Sequence, residues 1–274
     1  MNDFGVRGER PSHPELLDWL AGDFVSRKGW SRKRFIKTIL MSATYRQSSG
    51  HRPELADVDP LNRLLHRQNR LRVEAEIVRD LHLSASGLLC PRVGGPSVYP
   101  PLPPNIAELS YANNFKWATS SGEDRYRRGM YTFFKRTAPH PDLTTFDCPD
   151  ANTTNVKRTV SNTPLQALTT LNAGTFADAA KGLATRVLKE GPTADAQGLD
   201  RLLVICLSRH GAAGELASLQ GLLNDSRRWY LAHPEEAAKF VKGFEVSSVA
   251  PAELAAWAAT ARMVLNLDEF ITRE

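Results

Sequence analysis

Cysteine is scarce. Three residues, Cys90, Cys148 and Cys206, lie far apart in 274. They allow one disulfide at most, which excludes a disulfide-built fold. No C-x-x-C occurs, so neither a zinc knuckle nor a haem-attachment motif is written in this chain. No apolar run reaches the length of a membrane span, about 18 residues. The start, Met1-Asn2-Asp3-Phe4-Gly5, has no basic head and no apolar core, so it does not read as a signal peptide. Export would then need a signal in an upstream part. The strings G-x-x-x-x-G-K-[ST], G-x-G-x-x-G and G-x-S-x-G are also missing, which removes the local signatures of phosphate loops, dinucleotide folds and hydrolase elbows. Seven histidines show no H-x-H or H-x-x-x-H spacing, so no metal site is expected from local pattern.

What is present is an ordinary globular balance, 42% apolar and 24% charged residues. That is enough to bury a core and gives no reason to expect disorder. The net charge is +5, and the basic excess falls in residues 1–160. Helical patterning dominates. Ser12 with Glu15 reads as a capping box for a helix carrying Leu16, Leu17, Leu20 and Phe24. A second helix starts near Ser31. Asp59-Pro60 opens a third helical region in which Leu61, Leu64 and Leu65 pack together and Arg63, Arg67 and Arg70 face away. A fourth runs from Arg72 to Ser86, with Glu76 and Asp80 pairing locally with Arg72 and Arg79. Thr163 with Gln166 caps a long helix reaching Glu190, and segments at 199–208, 215–230, 234–241 and 251–267 complete the pattern.

Two stretches interrupt the helices. Residues 90–104 hold six prolines and Gly94-Gly95, so their backbone is extended, as a linker or as a loop packed across a surface. Residues 128–135 alternate weakly and are rich in aromatics, which makes them the best strand candidate. The expected fold is mainly α, one helical domain over 1–274, with a sub-boundary at 90–126 and at most a small β element.

The densest polar stretch runs from Arg125 to Gln166. Arg125, Arg127, Arg128, Lys135, Arg136 and Arg158 could bind carboxylate, sulfate or phosphate through guanidinium and ammonium donors. They could equally pair with nearby carboxylates to hold a long loop down. Asp147 and Asp150 could work as a catalytic carboxylate pair. Three-residue spacing fixes no catalytic separation, and Asp-Cys-Pro-Asp also reads as a turn. Cys148 with His140 could make a nucleophile and base, or Cys148 could be a bystander. Arg63, Arg67, Arg70 and Arg72 form a basic stripe. Without polar base readers among them, nucleic acid is not expected as a partner, and a solvated helix face is the simpler account.

Several strings read together: PSHPELLDWLA at 11–21, GWSRKRFIKTILMSATYRQSS at 29–49, DPLNRLLHRQNRLRVEAEIVRD at 59–80, GGPSVYPP at 94–101, RRGMYTFFKRTAPHPDLTTFDCPD at 127–150, SNTPLQALTTLN at 161–172 and LNLDEFITRE at 265–274. In this order they resemble a domain of unknown function abundant in planctomycetes, sometimes called a planctomycete secreted domain. The resemblance carries over no catalytic residues. It implies context: an exported cell-envelope parent, periplasmic or at the cell surface. The family's usual place is downstream of a cytochrome c module. More of the same domain, any export signal and any haem would then lie before Met1. No cofactor is expected in this chain itself.

Three functional expectations follow. The first is a non-catalytic accessory or interaction domain, docking on upstream domains or another envelope protein. The second is binding or hydrolysis of sulfated or acidic polysaccharide through the Arg/Asp-rich stretch. The third is assistance to cytochrome c electron transfer.

Overall fold

Alanine and glycine set the architecture of the larger part of the chain. In GTFADAAKGLATRVLK, residues Ala179, Ala180, Leu183, Ala184 and Val187 fall on one face, and all are solvent-free. In PAELAAWAATARMVL, Ala255, Ala256, Ala258 and Ala261 are solvent-free too, with Trp257 among them, so this helix is buried on nearly all sides. Small side chains let two helix axes approach closely, and larger ones fill the flanks. A computed structural model of the chain describes residues 5–27, 29–103, 117–192 and 194–273. It divides into two compact units, residues 1–72 with 272–274, and residues 73–271.

The second unit is built on α6 (Gly174–Lys189) and α10 (Pro251–Leu265), which pack on each other. Around them lie α3 (Ala75–Ser86), α5 (Pro164–Asn172), α7 (Asp195–Leu207), α8 (Ala213–Ala232) and α9 (Pro234–Phe240). Leu199, Leu202 and Leu203 of α7, Leu223 of α8 and Phe270 of the short α11 (Asp268–Ile271) complete one core. Each fully buried leucine contributes roughly 2 kcal/mol before entropy is counted. Gly198 is placed by the packing itself: a Cβ there would sit 2.6 Å from the Trp257 ring. Arg227 pairs with Asp195 and Glu253, tying α8 to α7 and α10. A smaller cluster, Val78, Leu143, Phe146 and Phe176, sits under α3, where the His82 ring meets Phe176 edge-on at 4.6 Å.

The first unit holds α1 (Pro14–Gly22), a π-turn over Asp23–Arg27 and α2 (Arg32–Leu40). Ser31 caps α2, its hydroxyl accepting from Arg34 N at 3.4 Å. Phe24 joins the two helices, with its ring 5.3 Å from Trp30 and 5.2 Å from Phe35. The sheet is two residues per strand, β1 (Leu71–Arg72) antiparallel to β2 (Thr272–Arg273).

The mainly α expectation with a small β element holds. Several local expectations do not. Ser12 caps nothing: its hydroxyl bonds the His13 ring, and α1 starts one residue later with Pro14 in its first turn. No helix forms after Asp59. Its carboxylate accepts from Arg63 N and Leu64 N, and Asn62 and Leu65 take left-handed backbone conformations that end any helix. Leu61 and Leu64 therefore stay exposed rather than packing together, and the basic stripe has no helix to lie on. Residues 128–135 form a 3-10 turn at Gly129–Tyr131 and a single parallel bridge from Thr132 to Val98, not a strand. The loop from Pro139 carries the short helix α4 (Pro141–Thr145). The helix drawn from Thr163 to Glu190 breaks at Ala173, whose extended backbone separates α5 from α6.

The proline-rich residues 90–103 lie within the second unit as an extended loop, bridged to Arg127 through Cys90 and to Thr132 through Val98. Residues 104–116 of the expected sub-boundary lie outside the described residues.

Candidate functional site

Two buried side chains of the second unit, Arg127 and His140, bond the carbonyls of the proline-rich loop, and Arg79 bonds the backbone beside them. Arg79 is the organising group. It falls on the buried face of α3, beside Val78 and one turn before Leu83, and is almost solvent-free. Its guanidinium donates to Arg125 O at 2.8 Å, to Thr175 Oγ1 at 3.1 Å and to Arg127 O at 3.5 Å. Burial lowers its pKa to about 10, while the fields of Asp142 and Asp80 pull the other way. Asp80 accepts from Gly129 N at 2.6 Å. The local pairing expected for Glu76, Asp80 and Arg79 is thus replaced by bonds to residues 46 to 96 positions away, because these side chains face the protein rather than solvent.

Arg127 has no solvent exposure. It donates to Pro96 O at 3.1 Å, to Arg92 O at 3.2 Å and to Gly94 O. Its guanidinium lies 3.9 Å over the Tyr131 ring, and the Tyr131 hydroxyl accepts from Gly94 N at 2.7 Å. Carbonyl groups of an extended loop have no helix or sheet partners, so a buried cation with several fixed donors satisfies them. The two glycines that give no phosphate loop instead bring backbone close to Arg127.

The other sequence-selected residues divide among separate networks. Arg125 pairs with Asp178 at 2.8 Å, and Asp178 also takes Lys181 at 2.7 Å and the Tyr126 hydroxyl at 3.3 Å. Burial, then the Asp178 charge, raises the Tyr126 pKa. Arg158 forks onto Glu76 at 2.6 and 3.2 Å and reaches Glu74 at 3.3 Å. Asp147, in a left-handed conformation, accepts from Ser161 N and Oγ, both at 2.8 Å. Gln166, which completes the Thr163 capping box, donates to Thr145 O at 3.0 Å. Asp150 is exposed and closes its own turn on Asn152. Arg128 and Arg136 are exposed, and Lys135 is half-buried.

His140 caps α4. Its Nδ1 accepts from Asp142 N at 3.2 Å, which leaves Nε2 to donate to Pro101 O at 3.2 Å. Burial, then the Arg79 charge, lowers its pKa to about 4. Burial raises Asp142 to about 6, opposed by Arg79. Cys148 does not meet His140 through any of these bonds. Its thiol faces Glu76 Oε1 at 3.9 Å, and burial with the Glu76 charge raises its pKa, the reverse of nucleophile activation.

A cleft of about 750 Å³ opens beside this region, lined by Cys90, Glu123, Arg125, Tyr126, Asp178 and Lys242 among others. Of the sequence-selected residues only Arg125 lines it. That cleft does not bring the six selected cations and the Asp147/Asp150 pair together. Arg79 and Asp178 were missed as polar centres. The signal was available: Arg79 and His82 stand at helical spacing with Ala75 and Val78, so a charge sits on a core face. Among the described residues, no three His, Cys, Asp or Glu side chains group as a metal set, and no helix is long and apolar enough to cross a membrane.

No curated protein and no solved structure matches the chain. A family model described as a protein of unknown function, DUF1553 or PSD1, matches residues 1–223. That span is most of the chain and carries Arg79, Arg127, the loop that Arg127 clamps and residues 1–72 of the first unit, so the chain belongs to the DUF1553 family.

Proposed function

We propose that this chain is a non-catalytic accessory domain whose first unit docks on another polypeptide. One observation carries the reading. Among the described residues, every buried side chain of the first unit is polar, namely Asp23, Asp59, Asn62, Arg72 and Thr272. Several of its large apolar side chains stay outside: Trp30 is 67% exposed, Trp19 48% and Leu17 56%. A unit of this size relies on burying apolar surface, and a contiguous exposed patch marks an interaction face. The second unit, by contrast, has a buried core, and Arg125, Arg127, Arg158, Asp147 and His140 make internal bonds there. A place at the cell envelope, within an exported parent, follows from the family resemblance.

The test is mild extraction of the full chain from its own cells. Docking predicts a stoichiometric complex that the double variant Trp19→Ser/Ile39→Ser dissociates, with the melting of the second unit unchanged. It also predicts no product release from sulfated or acidic polysaccharide. A monomer, or a chain that turns over such a polymer, overturns the reading.

A further inference from the structure

The first unit contains a groove of about 440 Å³, walled by Leu16, Trp19 and Leu20 of α1, Ile39 of α2, and Tyr45 and Leu65. Hydrogen bonds set these walls. The Ser42 hydroxyl donates to Ile39 O at 2.7 Å and accepts from Tyr45 N at 3.2 Å, which turns the chain after α2. Gln47 Nε2 donates to Leu65 O at 2.7 Å, and Asn69 Oδ1 accepts from Asn62 Nδ2 at 2.8 Å, which ties down the turn between 62 and 69. Thr38 Oγ1 donates to Arg34 O at 3.2 Å. The Tyr45 hydroxyl and the Gln68 side-chain amide, which also line the groove, have no partner among the described residues. The unit carries fifteen Lys and Arg and nine Asp and Glu among 75 residues, yet none of the twelve residues lining the groove is charged. Charges of both signs stand next to wall residues in sequence, Glu15 and Asp18 on α1 and Lys37 on α2, and stay out of the lining.

We propose that this groove binds an uncharged small molecule, an alkyl chain ending in a hydroxyl or carbonyl group. Three physical arguments select that ligand. The volume falls in the range of small-molecule sites, roughly 300–1,000 Å³, which are concave, mostly apolar and marked by a few polar groups. A cavity of about 150 Å³ takes one benzene, so this one has room for roughly 12 to 18 carbon atoms. The uncharged lining decides the ligand's charge: an ion drawn into it would lose water and meet no counter-ion, whereas a hydroxyl or carbonyl can bond Tyr45 or Gln68. Neither a peptide helix nor a bilayer fits as well. Two turns of helix, about 10 Å across and 11 Å long, fill about twice the volume. A bilayer takes apolar side chains from a protruding face, not a concave one. The site goes beyond the docking reading and does not depend on it: Leu17 and Ile36, on the same two helices but outside the groove, stay exposed for a polypeptide partner.

The experiment titrates the full chain by calorimetry with 1-decanol, decanoate and decylammonium, each below its micelle concentration. One decanol per chain is expected, bound at least about tenfold more tightly than either ion. Added salt should not weaken it. Ile39→Asp should lose decanol with circular dichroism unchanged, while Ile36→Asp, outside the groove, should keep it. Thr38→Lys places a cation in the lining and should turn the preference to decanoate, a gain that a misfolded variant could not show. Equal binding of the three probes, no binding of any, or capture of the chain by phosphatidylcholine vesicles in preference to decanol would overturn the proposal. Displacement of decanol when the cellular complex is reformed would give the groove to the partner polypeptide, overturning this proposal and leaving the docking reading in place. A chain that binds decanol yet is a monomer in its own cells would overturn the docking reading alone.

Discussion

The Arg127 guanidinium stacks 3.9 Å above the Tyr131 ring while donating to the carbonyls of Arg92, Gly94 and Pro96. One side chain thereby converts a run of prolines and glycines into an ordered part of the second unit. Arg127→Ala is expected to destabilise that unit by about 3 kcal/mol, since it empties a solvent-free site and removes its hydrogen bonds and the stacking on Tyr131. Arg127→Lys should recover little, because a single ammonium neither forks nor stacks flat on the ring. Urea unfolding followed by near-ultraviolet circular dichroism measures both.

Gly129 and Glu76 fix the other side of the same arrangement. A Cβ on residue 129 would lie 2.7 Å from Glu76 O and 2.8 Å from Glu76 Cα, where only backbone could yield. Gly129→Ala is therefore predicted to cost about 1–3 kcal/mol, as overpacking does. A urea midpoint within error of the parent would show that α3 shifts freely.

Acid should destabilise the second unit. His82 and His140 are held neutral by burial, each with a pKa near 4, below the ordinary 6.5. The unfolded chain takes up those protons first, so stability falls as pH drops from about 6.5 to about 4. Asp142 acts oppositely. Burial raises its pKa to about 6, so the folded state binds its proton more tightly, and stability from this group is gained between pH 6 and 3.8. Two lowered histidines outweigh one raised carboxyl. Asp142→Asn removes the counterweight, and its midpoint should fall more steeply than the parent's over that window. A shallower fall would contradict the assignment.

Thiol chemistry gives a separate check. Burial pushes Cys206 up to about 12, and burial with Glu76 raises Cys148. Native iodoacetamide labelling at pH 8 should leave both largely unmodified. Glu76→Gln should speed labelling of Cys148, since it removes the adjacent negative charge. Rapid modification of Cys148 in the parent would return it to the pool of nucleophiles.

The helices were readable where apolar spacing and caps agreed, as at Ser31, Pro234 and Pro251. They were misread where side chains competed for backbone groups. Asp59 takes two N–H groups and stops a helix that Leu61, Leu64 and Leu65 otherwise suggest. The Thr163 helix broke at Ala173 with no proline to announce it. The candidate residues were legible as a charged stretch, but not as separate networks, because their partners sit far away in sequence: Arg158 with Glu76, Arg125 with Asp178, Arg127 with the 92–96 carbonyls. Arg79 was read as a surface ion-pair partner although its helical position placed it in the core.

The central claim is that the first unit lacks a core of its own and gains one from a partner. Hydrogen exchange of the purified full chain tests it most directly. The account predicts that amides of α1 and α2 exchange at least about a hundredfold faster than those of α6 and α10, and become protected when the native complex is reformed. Protection of α1 and α2 equal to that of α6 in the chain alone would contradict it.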